Sequence, residues 1–309
     1  MQTDQTGAEV LSSVETAHKI RYLGRVCTSL TCCFAAAVAT LLPGDRAAAG
    51  SSSAPGATTG LAVYAPTPEG LYLINITTGG VRNSTPNFAS SFYDPFFFYQ
   101  SPLEIVGAKV SFIVAPTLFA IDQKGSPSLL GLYNTYFGSQ LTWDLGGGLG
   151  VGYRLSGYVP MKSEVAYNYG TIEHRFGASY VGNGWNLTAN FQLGTPFADQ
   201  STGRMTAPNY LNLDLTATKK FNNWELGPIA YGSVDISRPY SSYAKQGQFA
   251  VGGLIGYDFG PVIVQLKGST DVVERNYGGR DVRGWANIIV PLWVNTPSPV
   301  NSKKLEQRF

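Results

Sequence analysis

The sequence predicts an all-β chain that forms a transmembrane, antiparallel, up-and-down β-barrel of about 12 strands. Three observations lead to this prediction. Charged residues make up only 14% of the 309 residues and 36 residues are Gly, whereas soluble domains carry about 25% charged residues. Apolar and polar residues alternate over runs of about ten residues in the second half of the chain, and the connections between these runs are alternately short and long, as in outer-membrane barrels.

Strict alternation is clearest in residues 185–194. Apolar residues occupy the odd positions from Trp185 to Leu193, and Asn, Thr or Gln occupies the even positions between them. Strands that cross a membrane need about 9–11 residues, whereas strands of soluble proteins average about 5–6. A soluble β-sandwich is the alternative. Similar runs occur at 211–221, 248–259 and 262–272, and noisier ones at 149–159, 171–181, 224–236 and 284–294.

The connections predict the strand count. Tight turns at 182–184, 222–223 and 260–261 alternate with longer polar loops at 161–169, 195–208, 238–246 and 274–282. Counting backwards places earlier strands near 70–80, 91–100, 108–121 and 134–145. The total is even, so the first strand begins and the last strand ends on the same, periplasmic side of the membrane. Closure is required because an open edge would leave backbone groups unpaired in hydrocarbon.

The N-terminal residues predict export. Lys19, Arg21 and Arg25 precede an uncharged, mostly apolar stretch at 26–42, and Ala47 and Ala49 fit the small-x-small rule of signal peptidase. We therefore expect residues 1–49 to be a signal peptide with an N-terminal extension that is cleaved near Ala49; an uncleaved membrane anchor is the alternative. The three Cys residues all precede this site, so the cleaved chain would have no thiol, which suits an oxidising compartment.

The remaining chain divides into three predicted parts. Residues 50–69 are rich in Ser, Thr, Pro and Gly and are expected to be a periplasmic linker or a partial lumen plug. Residues 70–294 form the predicted barrel, and 295–309 a C-terminal tail. The predicted location is the cell outer membrane of a diderm bacterium, with membrane lipids and the barrel-assembly machinery as partners.

One segment carries a family resemblance. Residues 54–75 read APGATTGLAVYAPTPEGLYLIN, which resembles the opening of a family of outer-membrane barrel proteins associated with the meta-pathway of phenol degradation. The segments 182–194, 211–215 and 286–293 are also similar. The resemblance implies a transporter-like barrel linked to catabolism of aromatic or other hydrophobic compounds, and it implies no family-wide catalytic residues.

The sequence contains few candidate catalytic residues. His174 is the one His after residue 49, no G-x-S-x-G motif is present, and no His, Cys or carboxylate cluster suggests a metal. We therefore predict no enzyme activity and no cofactor. The net charge of +2, with no basic cluster longer than two residues, argues against nucleic acid as a partner. The alternative enzyme is a barrel-type lipid hydrolase that pairs His174 with a Ser.

The inward faces of the clear strands are predicted to line the lumen. Charges of both signs occur there in near balance, so they either pair across a plugged lumen or form a constriction without strong ion preference. Inward Tyr rings offer stacking surfaces to aromatic solutes. Gly148, Gly150 and Gly152 leave space on one wall for a substrate or for residues 50–69. The predicted lining comprises Arg154, Tyr158, Glu173, Arg175, Tyr210, Asp214, Lys220, Glu225, Tyr231, Asp235, Asp258, Lys267 and Asp271.

These observations together predict an outer-membrane channel for passive uptake of small hydrophobic or aromatic compounds that feed catabolism. The alternatives are the lipid hydrolase and a structural barrel or adhesin that transports nothing.

Overall fold

The structure, a computed structural model, describes residues 50–295. Strands make up most of this part of the chain. This part contains no helix long and apolar enough to cross a membrane. The strands are β1 (Gly70–Arg82), β2 (Phe88–Ile105), β3 (Ala108–Ala115), β4 (Leu118–Gln123), β5 (Leu129–Leu132), β6 (Thr135–Asp144), β7 (Leu149–Val159), β8 (Thr171–Gly182), β9 (Trp185–Pro196), β10 (Tyr210–Phe221), β11 (Trp224–Asp235), β12 (Gly247–Asp258), β13 (Ile263–Arg275) and β14 (Asp281–Val294).

The sheet closes on itself because β1 pairs with both β2 and β14. Around the ring, β1 is followed by β2, β3 and β6, and then by β7 to β14 in chain order. Each pair of neighbouring strands is antiparallel. Strand β4 continues β3 along the same partner: β2 pairs with β4 through Phe88–Tyr93 and with β3 from Phe97 onward. The interruption falls at Pro116, which has no N–H to donate. The predicted closed barrel of 12 strands is therefore confirmed, with β4 and β5 as the outer parts of two broken strands.

Most strands, including β1 and β6, fall close to their predicted positions, whereas β2 is longer than predicted and the predicted strand 108–121 is divided into β3 and β4. Strand β2 runs from Phe88 to Ile105, so the predicted loop at 80–90 shrinks to 83–87 and the predicted turn at 101–107 shrinks to 106–107. The physical reason is the continuous pairing of β1 with β2 from Gly70↔Gln100 to Arg82↔Phe88. This pairing includes residues of β2 in which apolar and polar side chains do not alternate.

The barrel is polar inside and apolar outside, the inverse of a soluble protein. On β9 and β10, Asn190 and Asn212 are fully buried in the interior. On the outer face, Leu187 and Phe176 are 42% and 47% exposed. An apolar outer surface is stable where the surrounding medium is lipid hydrocarbon.

The two ends of the barrel differ. Short turns, among them Asn183–Gly184 and Asn222–Asn223, lie at the end where β1 begins and β14 ends, and we call it the short-turn end. Aromatic side chains collect there on the outer surface, including Trp185 and a Trp224–Tyr257 pair with ring centroids 4.8 Å apart. Such belts mark a membrane interface. The opposite, long-loop end carries the segments 160–170, 197–209 and 236–246.

Two predicted parts fall wholly or almost wholly beyond the described residues: the signal segment 1–49 and the tail 295–309, of which only Asn295 is described. The backbone N–H of Asn295 donates to the Glu69 carbonyl oxygen at 2.9 Å. This bond joins the end of β14 to the residue that precedes β1. The predicted last strand, 284–294, falls within β14.

Candidate functional site: the barrel lumen

The lumen contains the chain that precedes β1. This lumen segment, Gly50–Glu69, enters beside Asp235 near the long-loop end and passes Gly150 near the short-turn end. Every residue from Gly50 to Tyr64 is buried or half-buried. Small residues predominate, and they allow the chain to run close to the barrel wall.

Asp214 on β10 holds the middle of the lumen segment. Its carboxylate accepts hydrogen bonds from Gly56 N at 2.8 Å, Thr58 N at 3.0 Å and Thr58 Oγ1 at 2.6 Å. Hydrogen bonds to an ionised acceptor are roughly twice as strong as neutral ones. Because Asp214 itself is buried, these donors also supply the polar contacts that a buried carboxylate needs.

The next turn of the lumen segment is held through its carbonyl oxygens. Asn186 Nδ2 and Gln265 Nε2 donate to the Gly60 oxygen, at 3.0 and 2.9 Å. Lys267 Nζ donates to the Thr59 oxygen at 2.8 Å and lies 4.8 Å from the ring centre of Trp285. This buried ammonium therefore contacts both the lumen segment and an aromatic face, and each of them stabilises a cation.

Tyr64 fills the lumen on the short-turn side of these contacts. It is fully buried, and its hydroxyl donates to Asn190 Oδ1 at 2.8 Å. A Cβ on Gly152 would overlap the Tyr64 ring, and one on Gly150 would overlap the Tyr64 carbonyl oxygen. The space that these glycines leave is therefore occupied by the lumen segment. Gly148 was expected to leave space on the inner wall together with Gly150 and Gly152, but it lies in the β6–β7 turn, with φ +85°, against the Val181 backbone.

A cavity of about 610 Å³ lies on the long-loop side of the lumen segment. Five alternate residues of β2, from Phe88 to Phe96, form one wall, and residues 50–55, 57 and 58 form part of its floor. The rings pack on one another: Phe96 stacks on Tyr136 at 6.0 Å, and Phe92 meets the edge of Trp285 at 5.9 Å. The aromatic and aliphatic lining comprises Ile76, Phe88, Phe92, Phe96, Phe119, Ile121, Tyr133, Tyr136, Tyr158, Val165, Tyr167, Tyr169, Tyr231, Tyr243, Tyr277 and Trp285.

Charged groups of the cavity wall are mostly paired. Arg175 bonds to Glu173 with Nε at 3.0 Å, and Arg283 Nη2 lies 3.1 Å from Asp281 Oδ2. Asp94 differs, since its contact is a 2.7 Å hydrogen bond from Thr117 Oγ1 and no ion pair of residues 50–295 includes it. A carboxylate oxygen flanked by Phe92 and Phe96 on the same face of β2 therefore remains available to a donor within the cavity.

Two groups outside the strands also line the cavity. Backbone and hydroxyl donors of Thr202, with the Ser201 N–H, lower the pKa of the Asp199 carboxyl, which therefore stays ionised at neutral pH. Burial raises the pKa of Tyr277 to about 12, so its hydroxyl stays neutral. The Arg82 guanidinium lies 4.6 Å from the Tyr277 ring centre, and this contact attaches the 276–280 turn to β1.

The structure distributes the sequence-predicted lining residues over three places. Tyr158, Arg175 and Tyr231 border the cavity. Lys220 and Asp258 lie at the short-turn end, partly exposed, and pair with each other at 2.7 Å. The other predicted residues are buried in the barrel interior outside the cavity lining: Arg154, Glu173, Tyr210, Asp214, Glu225, Asp235, Lys267 and Asp271.

Several of these interior residues form bonds across strands. Tyr210 donates to Glu173 Oε1 at 2.5 Å, and Arg154 bonds Gln140. Thr218 donates to Glu225, and Arg82 lies 3.5 Å from Asp271. Tyr210, which the sequence suggested as a stacking surface, is thus fully buried in a polar network.

Sequence reasoning missed the aromatic wall contributed by β2, β4 and β6. Phe92, Asp94 and Phe96 face the cavity, while Tyr93 and Pro95 lie on the opposite face of β2. Both faces of this strand are therefore mainly apolar, and alternation disappears. The signal that could have located the cavity was this loss of alternation itself, together with the aromatic density of FYDPFFFYQ.

His174 lies on the face of β8 opposite to Glu173 and Arg175. Its Nδ1 is 2.7 Å from the Tyr153 hydroxyl. Among the hydrogen bonds of residues 50–295, none joins His174 to a Ser. The arrangement that the lipid hydrolase alternative requires is therefore not formed within the described chain. In the same part of the chain no group of three or more His, Cys, Asp or Glu side chains could hold a metal ion.

The closed ring, apolar exterior and polar, occupied interior define a β-barrel of the outer-membrane type. The chain belongs to the family described as "Putative MetA-pathway of phenol degradation", whose model matches residues 47–288. No curated protein matches the sequence significantly.

Among solved structures, the COG4313 outer membrane channel from Pseudomonas putida F1 shares the fold with a TM-score of 0.64 at 10% identity, covering 74% of this chain and 97% of that one. The translocator domain of the autotransporter NalP from Neisseria meningitidis matches at a TM-score of 0.44 and 11% identity, covering 72% and 89%.

Proposed function

We propose that this protein is a passive outer-membrane channel for small hydrophobic or aromatic compounds that feed catabolism. The aromatic cavity carries the proposal: a space of about 610 Å³ inside a membrane barrel, walled by Phe, Tyr and Trp side chains. Binding sites for small molecules are typically concave, mainly apolar and supplied with a few placed polar groups. The family membership and the channel described for the Pseudomonas putida structure support the same role.

The direction of transport follows from the topology. In outer-membrane barrels the short turns face the periplasm and the longer loops face outward. The cavity then lies in the outer half of the barrel, where it receives solutes from outside the cell. The lumen segment separates it from the periplasmic half, through the contacts of Thr58 with Asp214 and of Tyr64 with Asn190.

Passage therefore requires the lumen segment to shift. Its contacts are hydrogen bonds to side chains of the wall, each worth about 0.5–3 kcal/mol net. The only covalent link between Gly50–Glu69 and the wall within residues 50–295 is the peptide bond from Glu69 to Gly70 of β1, and Gly56 and Gly60 provide left-handed backbone positions within the segment. A solute that occupies the cavity contacts Ala54 and Ala57 of the segment directly.

The cavity chemistry favours uncharged solutes. Its three arginines already have carboxylate partners. A solute carboxylate would therefore be repelled by the negative charge of Asp94, and no unpaired arginine of the lining would offset this repulsion. A hydroxyl or amino group can instead donate to the free Asp94 oxygen while its ring packs between Phe92 and Phe96. Apolar burial contributes about 25 cal/mol per Å² to such binding.

Uptake by whole cells tests the proposal. We expect a strain lacking the gene to take up small aromatic alcohols severalfold more slowly than its parent at limiting concentration, and the gene on a plasmid to restore the rate. A sugar of similar size serves as the control and should enter at the same rate in both strains. Equal uptake of every aromatic and alkyl compound would favour the structural barrel instead.

A further inference from the structure

Asp235, the last residue of β11, has a carboxylate whose two oxygens differ in their contacts. Oδ2 accepts from the Tyr243 hydroxyl and from Gln246 N, each at 2.7 Å. Oδ1 is buried and accepts no hydrogen bond from the described residues 50–295. The residue is 2% exposed. A buried carboxylate oxygen without a donor is costly, so a partner for Oδ1 is to be expected.

The nearest candidate is the beginning of the lumen segment. A Cβ on Gly50 would overlap Asp235 Oδ1. Since the N–Cα and Cα–Cβ bonds are each about 1.5 Å long, the Gly50 nitrogen lies within about 5 Å of that oxygen. Gly50 is itself buried, and any side chain at position 50 would collide with the carboxylate.

We propose that the Asp235 carboxylate is the binding site for the α-ammonium group that signal-peptide cleavage creates on Gly50. Hydrolysis of the Ala49–Gly50 bond consumes one water and leaves a carboxylate on Ala49 and an ammonium on Gly50. Before cleavage the Gly50 nitrogen is a neutral amide; after it, the same atom carries a positive charge and three donors beside Oδ1. Processing thereby completes the contacts of Asp235 and fixes the outer end of the lumen segment.

Other cations do not replace this partner within residues 50–295. Lys245 Nζ donates to the Ile236 oxygen at 2.7 Å, and no ion pair of the described residues includes Asp235. The groups that bond the carboxylate are neutral: the Tyr243 hydroxyl and the Gln246 amide. The inference rests on cleavage at Ala49 and is independent of which solute the barrel carries.

The test uses protein exported and processed in cells and purified from outer membranes in detergent. Mass spectrometry first identifies its N-terminal residue. The folded protein is then treated at neutral pH with an acetylating N-hydroxysuccinimide ester, and acetylation of the Gly50 amine is followed over time. We expect Asp235→Asn to be acetylated at least about tenfold faster than the parent, since one pKa unit of lost ammonium stabilisation corresponds to a factor of ten. Tyr243→Phe, which removes a bond to Oδ2 only, should stay within about twofold.

A second measurement needs no variant. A water-soluble carbodiimide joins a carboxylate and an amine in contact into an amide, taking up the water that is released, and peptide mapping should find Gly50 linked to Asp235 in the folded parent. A mature chain that begins elsewhere than Gly50 overturns the inference. So does a Gly50 amine that shows neither the cross-link nor any rate difference between the parent and Asp235→Asn.

Discussion

In the proposed channel, Asp94 is the residue that we expect to affect the selectivity of the cavity most. It lies between Phe92 and Phe96 on the cavity face of β2, lines the cavity, and accepts one hydrogen bond from Thr117 through Oδ1. Most other charged side chains of the interior are committed to partners: Asp214 and Lys267 to the lumen segment, Glu173 to Arg175 and Tyr210. The mixed charge predicted from sequence therefore serves mainly to hold the interior together.

Replacement of Asp94 should change which solutes enter. We expect Asp94→Asn to weaken discrimination against aromatic carboxylates and to slow uptake of aromatic alcohols by a few-fold, because Asn keeps an acceptor oxygen but a hydrogen bond to a neutral acceptor is worth about 1 kcal/mol less than one to a charged acceptor. Competition between benzyl alcohol and benzoate for uptake measures both effects.

The matched control is Asp258→Asn, a carboxylate exchange at the short-turn end far from the cavity lining. Its selectivity should equal that of the parent. An unchanged competition ratio for Asp94→Asn would show that Asp94 does not contact the solute.

At the scale of elements, we propose that the lumen segment determines whether the barrel is open. Its hold on the wall is concentrated at Asp214, which accepts from two backbone N–H groups and one hydroxyl. Sequence composition suggested either a linker or a partial plug for residues 50–69 and could not distinguish them. The difference depends on partners distant in sequence, such as Asp214 and Asn190, that only the closed barrel brings to the segment.

Release of the segment should increase ion flow. We expect Asp214→Ala to raise the single-channel conductance in planar bilayers severalfold over the parent, because the segment loses three hydrogen bonds at once and the wall gains no bulk. Asp258→Ala removes a carboxylate that bonds Lys220 in the wall and should leave the conductance unchanged. Equal conductance of Asp214→Ala and the parent would mean that the segment stays in place without this contact.

At the scale of the whole molecule, the fold was predictable where one strand face meets lipid and the other meets polar groups. Residues 185–194 and 211–221 alternate for this reason, and their strands match the structure closely. The predicted strand 134–145 also matches β6, but the predicted strands 91–100 and 108–121 were placed less well, because the cavity makes the inner face of β2 apolar as well and because Pro116 divides one strand into β3 and β4. The cavity lining therefore came mainly from segments in which apolar and polar residues do not alternate regularly.

A closed barrel should resist detergent until it is heated. We expect protein kept cold in sodium dodecyl sulfate to migrate differently from a boiled sample, because 12 mutually paired strands leave no open edge from which unfolding can start. Gel electrophoresis of the two samples measures this. Identical migration, or recovery of the protein from the soluble periplasmic fraction, would contradict a membrane barrel.

The central claim is that solutes cross through the lumen by displacing the lumen segment. A disulfide can lock the segment to the wall: Ser52 Oγ and Thr171 Oγ1 are 2.7 Å apart, so Ser52→Cys/Thr171→Cys places two sulfurs in bonding range. The control, Ala178→Cys/Ala189→Cys, replaces two directly paired residues on the outer faces of β8 and β9 and joins two wall strands only. The three native cysteines all precede the predicted cleavage site: Cys27, Cys32 and Cys33.

The decisive measurement is the initial uptake of a labelled aromatic alcohol by deletion-strain cells that carry each double-cysteine variant, before and after treatment with a reductant. The account predicts that the Ser52–Thr171 disulfide reduces uptake to the level of cells without the protein, that reduction restores it, and that the wall disulfide has no effect. Undiminished uptake through the fully oxidised Ser52–Thr171 variant would contradict it.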